Sequence, residues 1–373
     1  MSGRRLRAVV RKELLQIARD PWSLGMAFAM PMILLVLFGW VLSLDVEHIT
    51  TIVYDQDRTQ ASRELVARFA RSGYFDVVAI AERPDDVERA LDRNRAQVAL
   101  VVPVNFARDL ERGQTVDLQV IVDGSDANIA TIALSYVEAI VARFSDQIAG
   151  QLGAPRPPPA LEGRLRVWYN PDLESRNFIV PGLIAVIMMV IATMLTSLTV
   201  AREWERGTME QLIATPIRVP ELILGKLVPY FGIAVLDVAL CTLVGVFVFR
   251  VPFRGSIAVL VVVSTTFLVG VLGLGLFISI KARTQLLASQ IGILATFLPS
   301  MMLSGFSAPI ENMPGWLQVL TYAVPARYYV TALKGLFLKG VGATVLVGEQ
   351  LFLAAFAVAM LVLAVRAFRK TLE

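Results

Sequence analysis

The stretch FIVPGLIAVIMMVIATMLTSLTV (178–200) decides the fold class, because its 23 residues include no charged side chain. A helix that crosses a bilayer needs roughly 17–25 mostly apolar residues. The whole chain is 56% hydrophobic and 18% charged, whereas soluble proteins carry about 25% charged residues. The stretch therefore predicts a transmembrane helix.

Five further segments have the same character. The six predicted spans are 24–44, 178–200, 224–249, 257–280, 286–308 and 347–366. The first is longer than the roughly 7–15-residue apolar region of a signal peptide, so we expect it to be a retained anchor. Basic residues in short flanking segments number 15 on the side of both termini and 5 on the other side. This asymmetry predicts cytoplasmic termini in an inner-membrane protein.

Residues 45–177, between the first two spans, predict a soluble domain on the outer, periplasmic side. The predicted strands are 49–55, 75–80, 97–102 and 118–123, and the predicted helices are 59–72, 84–94, 104–112 and 127–151. A proline-rich connector (153–163) and a return segment (165–169) lead to the second span. The predicted fold is an α-helical polytopic membrane protein with six transmembrane helices and an inserted α/β extracytoplasmic domain.

Few side chains could support enzymatic chemistry. His48 and Cys241 are the sole His and Cys, which excludes a His-based triad, a His-rich metal site and an internal disulfide. No GxxxxGK[ST] loop occurs, since Gly225-Lys226 is followed by Leu227. We expect no catalytic residue, metal or cofactor in this chain.

Two features lie within the spans. Asp237 is near the middle of the third span, where a carboxylate costs about 2.5–3.5 kcal/mol on insertion scales. A hydrogen-bonded structural role and a role on a transport path both remain open. The glycines of GVLGLGLF (270–277) follow no strand, so they predict close helix packing rather than a dinucleotide site.

Residues 4–19 predict an amphipathic helix that lies along the inner leaflet. Its apolar arc comprises Leu6, Val9, Val10, Leu14 and Ile17, and its basic side includes Arg11 and Lys12. Glu13 projects from the apolar arc, where an unpaired carboxylate is costly. We expect Glu13 either to pair with Arg202 or Arg206, or to reach headgroup water.

The loop after the second span predicts a short helix that begins at Thr208. Thr208 with Gln211 matches the capping box S/T-x-x-E/Q, and Pro216 ends the helix. Its apolar face comprises Met209, Leu212 and Ile213. A short, rigid helix on a charged stalk is suited to docking a cytoplasmic partner.

The stretch 309–340 is apolar and aromatic but is interrupted by Pro309, Pro314 and Pro325. Two short re-entrant or interfacial helices are expected there. Their predicted anchors at the membrane surface are Trp316, Tyr322, Tyr328 and Tyr329.

Six segments together resemble a known family. They are RKELLQIARDP (11–21), WYNPDLESRNFIVPG (168–182), EWERGTMEQLIATP (203–216), ELILGKLVPY (221–230), FRGS (253–256) and LSGFSAPIENMP (303–314). In this order and on this topology, the chain resembles the membrane subunit of ABC exporters of the type-2 permease class. The matching subgroup has a large extracytoplasmic domain between spans one and two.

The resemblance implies a role for several segments. Residues 1–23 would hold a connecting helix, with Glu13, Arg11 and Lys12. Within 178–373, residues 205–216 would be a coupling helix and 309–335 an outer re-entrant pair. The residues implied to contact an ATPase subunit are Glu205, Arg206, Gly207, Thr208, Met209, Glu210, Leu212, Thr215 and Pro216.

The resemblance also implies a function. The chain would be the permease of a multidrug-type exporter of drug-like or lipid-like molecules, paired with a second permease, identical or paralogous. A cytoplasmic ABC ATPase dimer would bind ATP and Mg, and a periplasmic adaptor often accompanies such systems. One alternative is a non-transporting envelope scaffold or receptor that uses the outer domain. An ion-driven transporter would show more intramembrane charge and internal repeats.

The net charge of +4 does not indicate a nucleic-acid partner. Residues 45–177 hold 15 arginines, no lysine and 21 acidic residues, which is a net charge of −6. The remainder carries 20 basic and 10 acidic residues, a net charge of +10. The net charge of +4 is therefore the sum of an acidic outer domain and a basic cytoplasmic face.

Overall fold

A computed structural model of the chain describes residues 2–41, 48–125, 127–151 and 174–368. The predicted connector 153–163, the return segment 165–169 and the end of span 24–44 lie outside the described residues. The chain divides into two compact units, which are Met1–Ser43 with Arg166–Glu373, and Leu44–Leu165.

Two helices open the larger unit. Helix α1 (Gly3–Ala18) is amphipathic, and it buries Val9 and Glu13. Leu14, which the helical arc assigns to the apolar side, is half exposed. Helix α2 (Pro21–Val41) is apolar on all sides and contains the window Leu24–Val41, which is long enough to cross a membrane.

In its described residues, the smaller unit is a four-stranded sheet with helices on both faces. Its elements are β1 (Ile49–Asp55), α3 (Gln60–Arg71), β2 (Phe75–Ile80), α4 (Pro84–Asp92), β3 (Val98–Val102), α5 (Phe106–Glu111), β4 (Gln119–Val122) and α6 (Ala127–Gln151). The strand order is β2-β1-β3-β4, with β1 parallel to β2 and β3, and β4 antiparallel to β3. The predicted alternation of strands and helices is confirmed.

Alternation along the strands separates two cores. Ile49 and Val53 of β1 pack with Leu65 of α3 on one face of the sheet. Ile52, between them, packs with Val87 of α4 on the opposite face. Successive side chains of a strand point to opposite faces, so one buried strand serves both layers.

From residue 174 to residue 368, the described part of the larger unit continues with eight helices and two short turns of other helical type. They are α7 (Ser175–Glu205), α8 (Thr208–Ala214), α9 (Val219–Phe247), α10 (Ile257–Ala282), α11 (Gln285–Leu303), a 3₁₀ turn (Ile310–Asn312), α12 (Gly315–Thr321), α13 (Pro325–Lys334), a π-helical turn (Gly335–Lys339) and α14 (Val347–Ala367). With α2, the helices α7, α9, α10, α11 and α14 make six within the described residues that are long and apolar enough to span a bilayer. The predicted fold class is confirmed.

Helix α7 is the central helix of this unit. Of its apolar window 72% is buried, against 17–50% for the other five. Its Thr196 hydroxyl donates to the carbonyl of Leu272 on α10 at 2.8 Å. A Cβ on Gly275 would overlap the carbonyl oxygen of Thr193, and a Cβ on Gly270 would lie 2.6 Å from Phe356 of α14. The prediction that these glycines allow close helix packing is confirmed.

Candidate functional site

A buried cluster of charges joins α1, α7 and α9 where α8 begins. The Nζ of Lys226 on α9 lies 2.9 Å from Oε1 of Glu13 on α1 and 2.8 Å from Oε2 of Glu203 on α7. All three side chains are buried. Buried charges persist only when they are closely paired, so the cluster fixes three helices against one another.

The approach of α1 to α9 positions this cluster. Gly225 precedes Lys226, and a Cβ there would lie 2.6 Å from a methyl carbon of Val9. One end of the crossing is held by the Ser2 amide, which donates to Oε1 of Glu221 at 2.6 Å. Val9 and Glu13 are one helical turn apart, so close contact at Gly225 directs Glu13 toward Lys226.

A second ammonium completes the charge balance. Lys12 is paired with Glu203, and its Nζ lies 3.4 Å from Oε1 of Glu13. Burial alone would lower the pKa of Lys12, but the carboxylates of Glu203 and Glu13 outweigh that effect and raise the pKa above its ordinary value. Two ammonium groups and two carboxylates therefore stabilise one another.

The predicted pairing of Glu13 with Arg202 or Arg206 is wrong. Arg202 lies 3.8 Å from Asp20, and the Arg206 side chain is exposed. Sequence reasoning missed Lys226 and Glu203 as partners. Two signals were available in the sequence. Lys226 lies just inside the predicted span 224–249, and Glu13 lies on the apolar face of the first helix, where it needs a partner.

Helix α8 begins at Thr208, as predicted, but not through the predicted capping box. The N-cap residue is Gly207 with φ +67°, and no side chain caps the helix. The Thr208 hydroxyl donates instead to the carbonyl of Glu203 at 3.3 Å. Glycine adopts this left-handed conformation without steric cost, so Gly207 lets the chain turn from α7 into α8.

The residues of α8 divide between two faces. Met209 is fully buried in the hydrophobic core of the larger unit, and the partly buried Leu212 packs against that core. Thr208, Glu210 and Gln211 are exposed. Beyond the helix, Thr215 is half-buried, and the carbonyl of the exposed Pro216 accepts from Arg5 at 2.7 Å. The Ile213 side chain lies outside the described residues.

Glu205 is the last residue of α7, so the helix α8 (Thr208–Ala214) is shorter than the predicted helix 205–216. Its carboxylate accepts from the Gln285 amide at 2.8 Å and from the Gln285 side chain, at the start of α11. The Arg283 guanidinium lies 5.2 Å from the ring centre of Trp204. Glu205 thereby ties α7 to α11, and Arg206 and Gly207 form the exposed turn before α8.

The aromatic stretch forms the two predicted short helices, α12 and α13. Trp316 and Tyr322 are 68% and 57% exposed and Tyr328 is half-buried, so their role as membrane-surface anchors stays a prediction. The prediction for Tyr329 as an anchor is wrong, because its side chain is fully buried. Its hydroxyl lies 2.8 Å from that of Ser264, and its ring stacks on Phe267.

Asp237 is fully buried in α9. Neither carboxylate oxygen has a hydrogen-bond partner among the described residues, so the hydrogen-bonded structural role receives no support. Cys241 lies one turn further along α9 and is also buried.

Six helices that can span a bilayer, a buried charge cluster beside the short helix α8 and an α/β insert after the first span define a polytopic membrane protein. The family model described as ABC-2 family transporter protein matches residues 21–366. The chain therefore belongs to the ABC-2 family of transporter proteins and is a permease subunit of an ABC transporter.

Curated relatives agree with this family. The chain is 42% identical to "Probable multidrug ABC transporter permease YbhS" of Escherichia coli K12 over 96% of its length and 95% of that protein. It is 35% identical to "Probable multidrug ABC transporter permease YbhR" of the same strain, covering 90% of each. It is 30% identical to "Inner membrane transport permease YhhJ", also from that strain, over 86% of this chain and 85% of that protein.

Proposed function

We propose that this chain is the membrane subunit of an ATP-driven exporter and that α8 is its docking element for a separate cytoplasmic ABC ATPase dimer. The observation that carries the proposal is the division of α8 into two faces. Met209 anchors the helix in the permease core, while Glu210 and Gln211 remain exposed. A helix with one anchored face and one free face can transmit a partner's movement.

The buried cluster gives that movement a route into the membrane. Glu203, two residues before the end of α7, is paired with Lys226 on α9, which is paired with Glu13 on α1. A displacement of α8 therefore acts on three helices together. In this proposal ATP and Mg bind to the ATPase, and this chain contributes no catalytic group.

The orientation follows from the basic residues. With both termini and α8 in the cytoplasm, residues 45–177 lie in the periplasm, available to an adaptor. A second permease, identical or paralogous, completes the pathway. The word multidrug in the names of the YbhS and YbhR relatives supports a drug-like substrate. A lipid-like substrate is the alternative that the family resemblance implies.

Asp237 is a candidate polar group of the pathway, because its buried carboxylate has no hydrogen-bond partner among the described residues. If it acts in transport, Asp237→Asn should assemble normally but reduce export by reconstituted vesicles. Normal export by this variant would remove Asp237 from the pathway.

The decisive test is co-purification of an ATPase with the tagged full chain from native membranes. Glu210→Lys should reduce the recovered ATPase about tenfold, a loss of about 1.4 kcal/mol. Glu88→Lys makes the same charge change at an exposed position of the smaller unit and should retain the ATPase. Failure of the unmodified chain to recover any ATPase would favour the scaffold or receptor alternative.

The turn before α8 offers a second test in the recovered complex. Gly207 has φ +67° with open space around its Cβ position, so substitution costs only backbone strain. Gly207→Ala should lower transport per ATP hydrolysed, whereas Gly207→Asn should lower it less, because Asn tolerates this conformation. Equal coupling in both variants would show that the α7–α8 turn does not set coupling.

A further inference from the structure

Two adjoining cavities in the larger unit have opposite chemical character. One, of about 720 Å³, is polar and lies between α1 and the end of α7. The other, of about 420 Å³, is mainly apolar and extends between α2 and α7. Gln16, Asp20 and Arg202 line both, so the two form a continuous amphipathic groove.

The polar cavity is basic. Its lining includes Lys12, Arg19, Arg202 and Arg206, and Asp20 is the acidic residue that lines it within the described part of the chain. Lys12 is committed to Glu203 and Glu13, and Arg202 lies close to Asp20. Arg19 and Arg206 are exposed, and neither side chain has a partner among the described residues. Two uncommitted guanidinium groups suit an oxyanion such as a phosphate.

The apolar cavity has the length of a lipid chain. Leu24, Met26, Met30 and Leu34 of α2 line one wall, and Ile191 and Met194 of α7 line the other. The ten residue-to-residue steps of α-helix from Leu24 to Leu34 rise about 15 Å, which is about half of the roughly 30 Å hydrocarbon core. Flexible methionine side chains adapt to an acyl chain of variable shape.

We propose that this groove binds one anionic phospholipid, with its phosphate between Arg19 and Arg206 and one acyl chain along α2 and α7. The other charged groups that face the groove are neutralised, Glu13 by Lys226 and Asp20 by Arg202. A free phosphate would leave the apolar half unused, and a cationic amphiphile would meet the unpaired guanidinium groups. The lipid belongs to the cytoplasmic leaflet, a placement that rests on the orientation proposed above.

The headgroup contact is tested with the purified full chain in detergent, titrated with spin-labelled phosphatidylglycerol and, separately, phosphatidylcholine. The unmodified chain should bind phosphatidylglycerol more tightly. Arg19→Gln with Arg206→Gln should weaken phosphatidylglycerol binding about tenfold or more. It should weaken phosphatidylcholine binding less, because the choline of that lipid already balances its phosphate. Arg4→Gln with Arg7→Gln removes the same charge from exposed positions of α1 outside the groove and should change neither.

The acyl-chain contact is tested by filling the groove. Ala27 lines the apolar cavity. Ala29, on the same helix, is exposed and does not line the cavity. Ala27→Phe should weaken phosphatidylglycerol binding, and Ala29→Phe should not. Equal binding of the two lipids by the unmodified chain, or equal effects of the two arginine pairs, would overturn the proposal. A changed oligomeric mass of Ala27→Phe with unchanged lipid binding would show instead that a second permease covers the groove. The titration uses no ATPase, so its failure is distinct from failure of the proposed coupling.

Discussion

Lys226 and Glu13, 213 positions apart in the chain, form a buried ion pair with a nitrogen–oxygen distance of 2.9 Å. Each side chain is only 2% exposed. Such a pair is costly to desolvate, and breaking it by removing one partner leaves an uncompensated charge. The pair therefore specifies where α1 lies on α9 more than it adds net stability.

The charge balance of the cluster leads to the first prediction. Lys226→Met leaves Glu13 and Glu203 with Lys12 alone, and we expect a loss of about 3–5 kcal/mol of unfolding free energy. Adding Glu13→Gln removes the excess carboxylate and leaves Glu203 paired with Lys12. The double variant should therefore be more stable than Lys226→Met. Thermal unfolding in detergent measures both differences.

An exposed pair provides the control for the cluster. Arg68 and Glu64 are 3.1 Å apart with partly exposed side chains, and Glu64→Gln should cost less than about 1 kcal/mol. A double variant Glu13→Gln/Lys226→Met that is less stable than Lys226→Met would contradict the balanced arrangement.

Much of the fold could be predicted from local pattern, because hydrophobic period and run length depend on the sequence alone. The spans and the strands from 49 to 122 were predictable in this way. The need of Glu13 for a partner was also predictable, because it lies among apolar side chains. Its choice of Lys226 was not, because that depends on the crossing of α1 over α9 at Gly225.

The start of α8 shows a second limit. Thr208 and Gln211 match a capping sequence, but whether Thr208 becomes the cap or the first helical residue depends on the backbone before it. Gly207 adopts φ +67° and takes the cap position. Tyr329 shows a third limit, since an aromatic side chain near a membrane surface can equally face lipid or pack inward, and only its contact with Ser264 on α10 distinguishes the two.

The α1–α9 crossing gives the second prediction. A Cβ on Gly225 would lie 2.6 Å from Val9, so Gly225→Ala should force α1 away from α9 and cost about 1–3 kcal/mol by overpacking. Gly232, on the same helix, has no atom within 4 Å of its Cβ position. Gly232→Ala should be neutral or slightly stabilising. Thermal unfolding compares the two, and equal effects would mean that α1 does not pack tightly at Gly225.

The buried hydroxyl pair of Tyr329 and Ser264 gives the third prediction. Their oxygens are 2.8 Å apart, so Tyr329→Phe or Ser264→Ala leaves the remaining hydroxyl without this partner, whereas the double variant removes both. The double variant should therefore lose less than the sum of the single losses, with a coupling of about 0.6–1.7 kcal/mol as found between membrane helices. Tyr322→Phe, at a side chain that is 57% exposed, is the control and should change stability by less than about 0.5 kcal/mol. Unfolding by denaturant in mixed micelles measures the cycle, and additive single effects would show that this hydrogen bond does not stabilise the packing of α13 on α10.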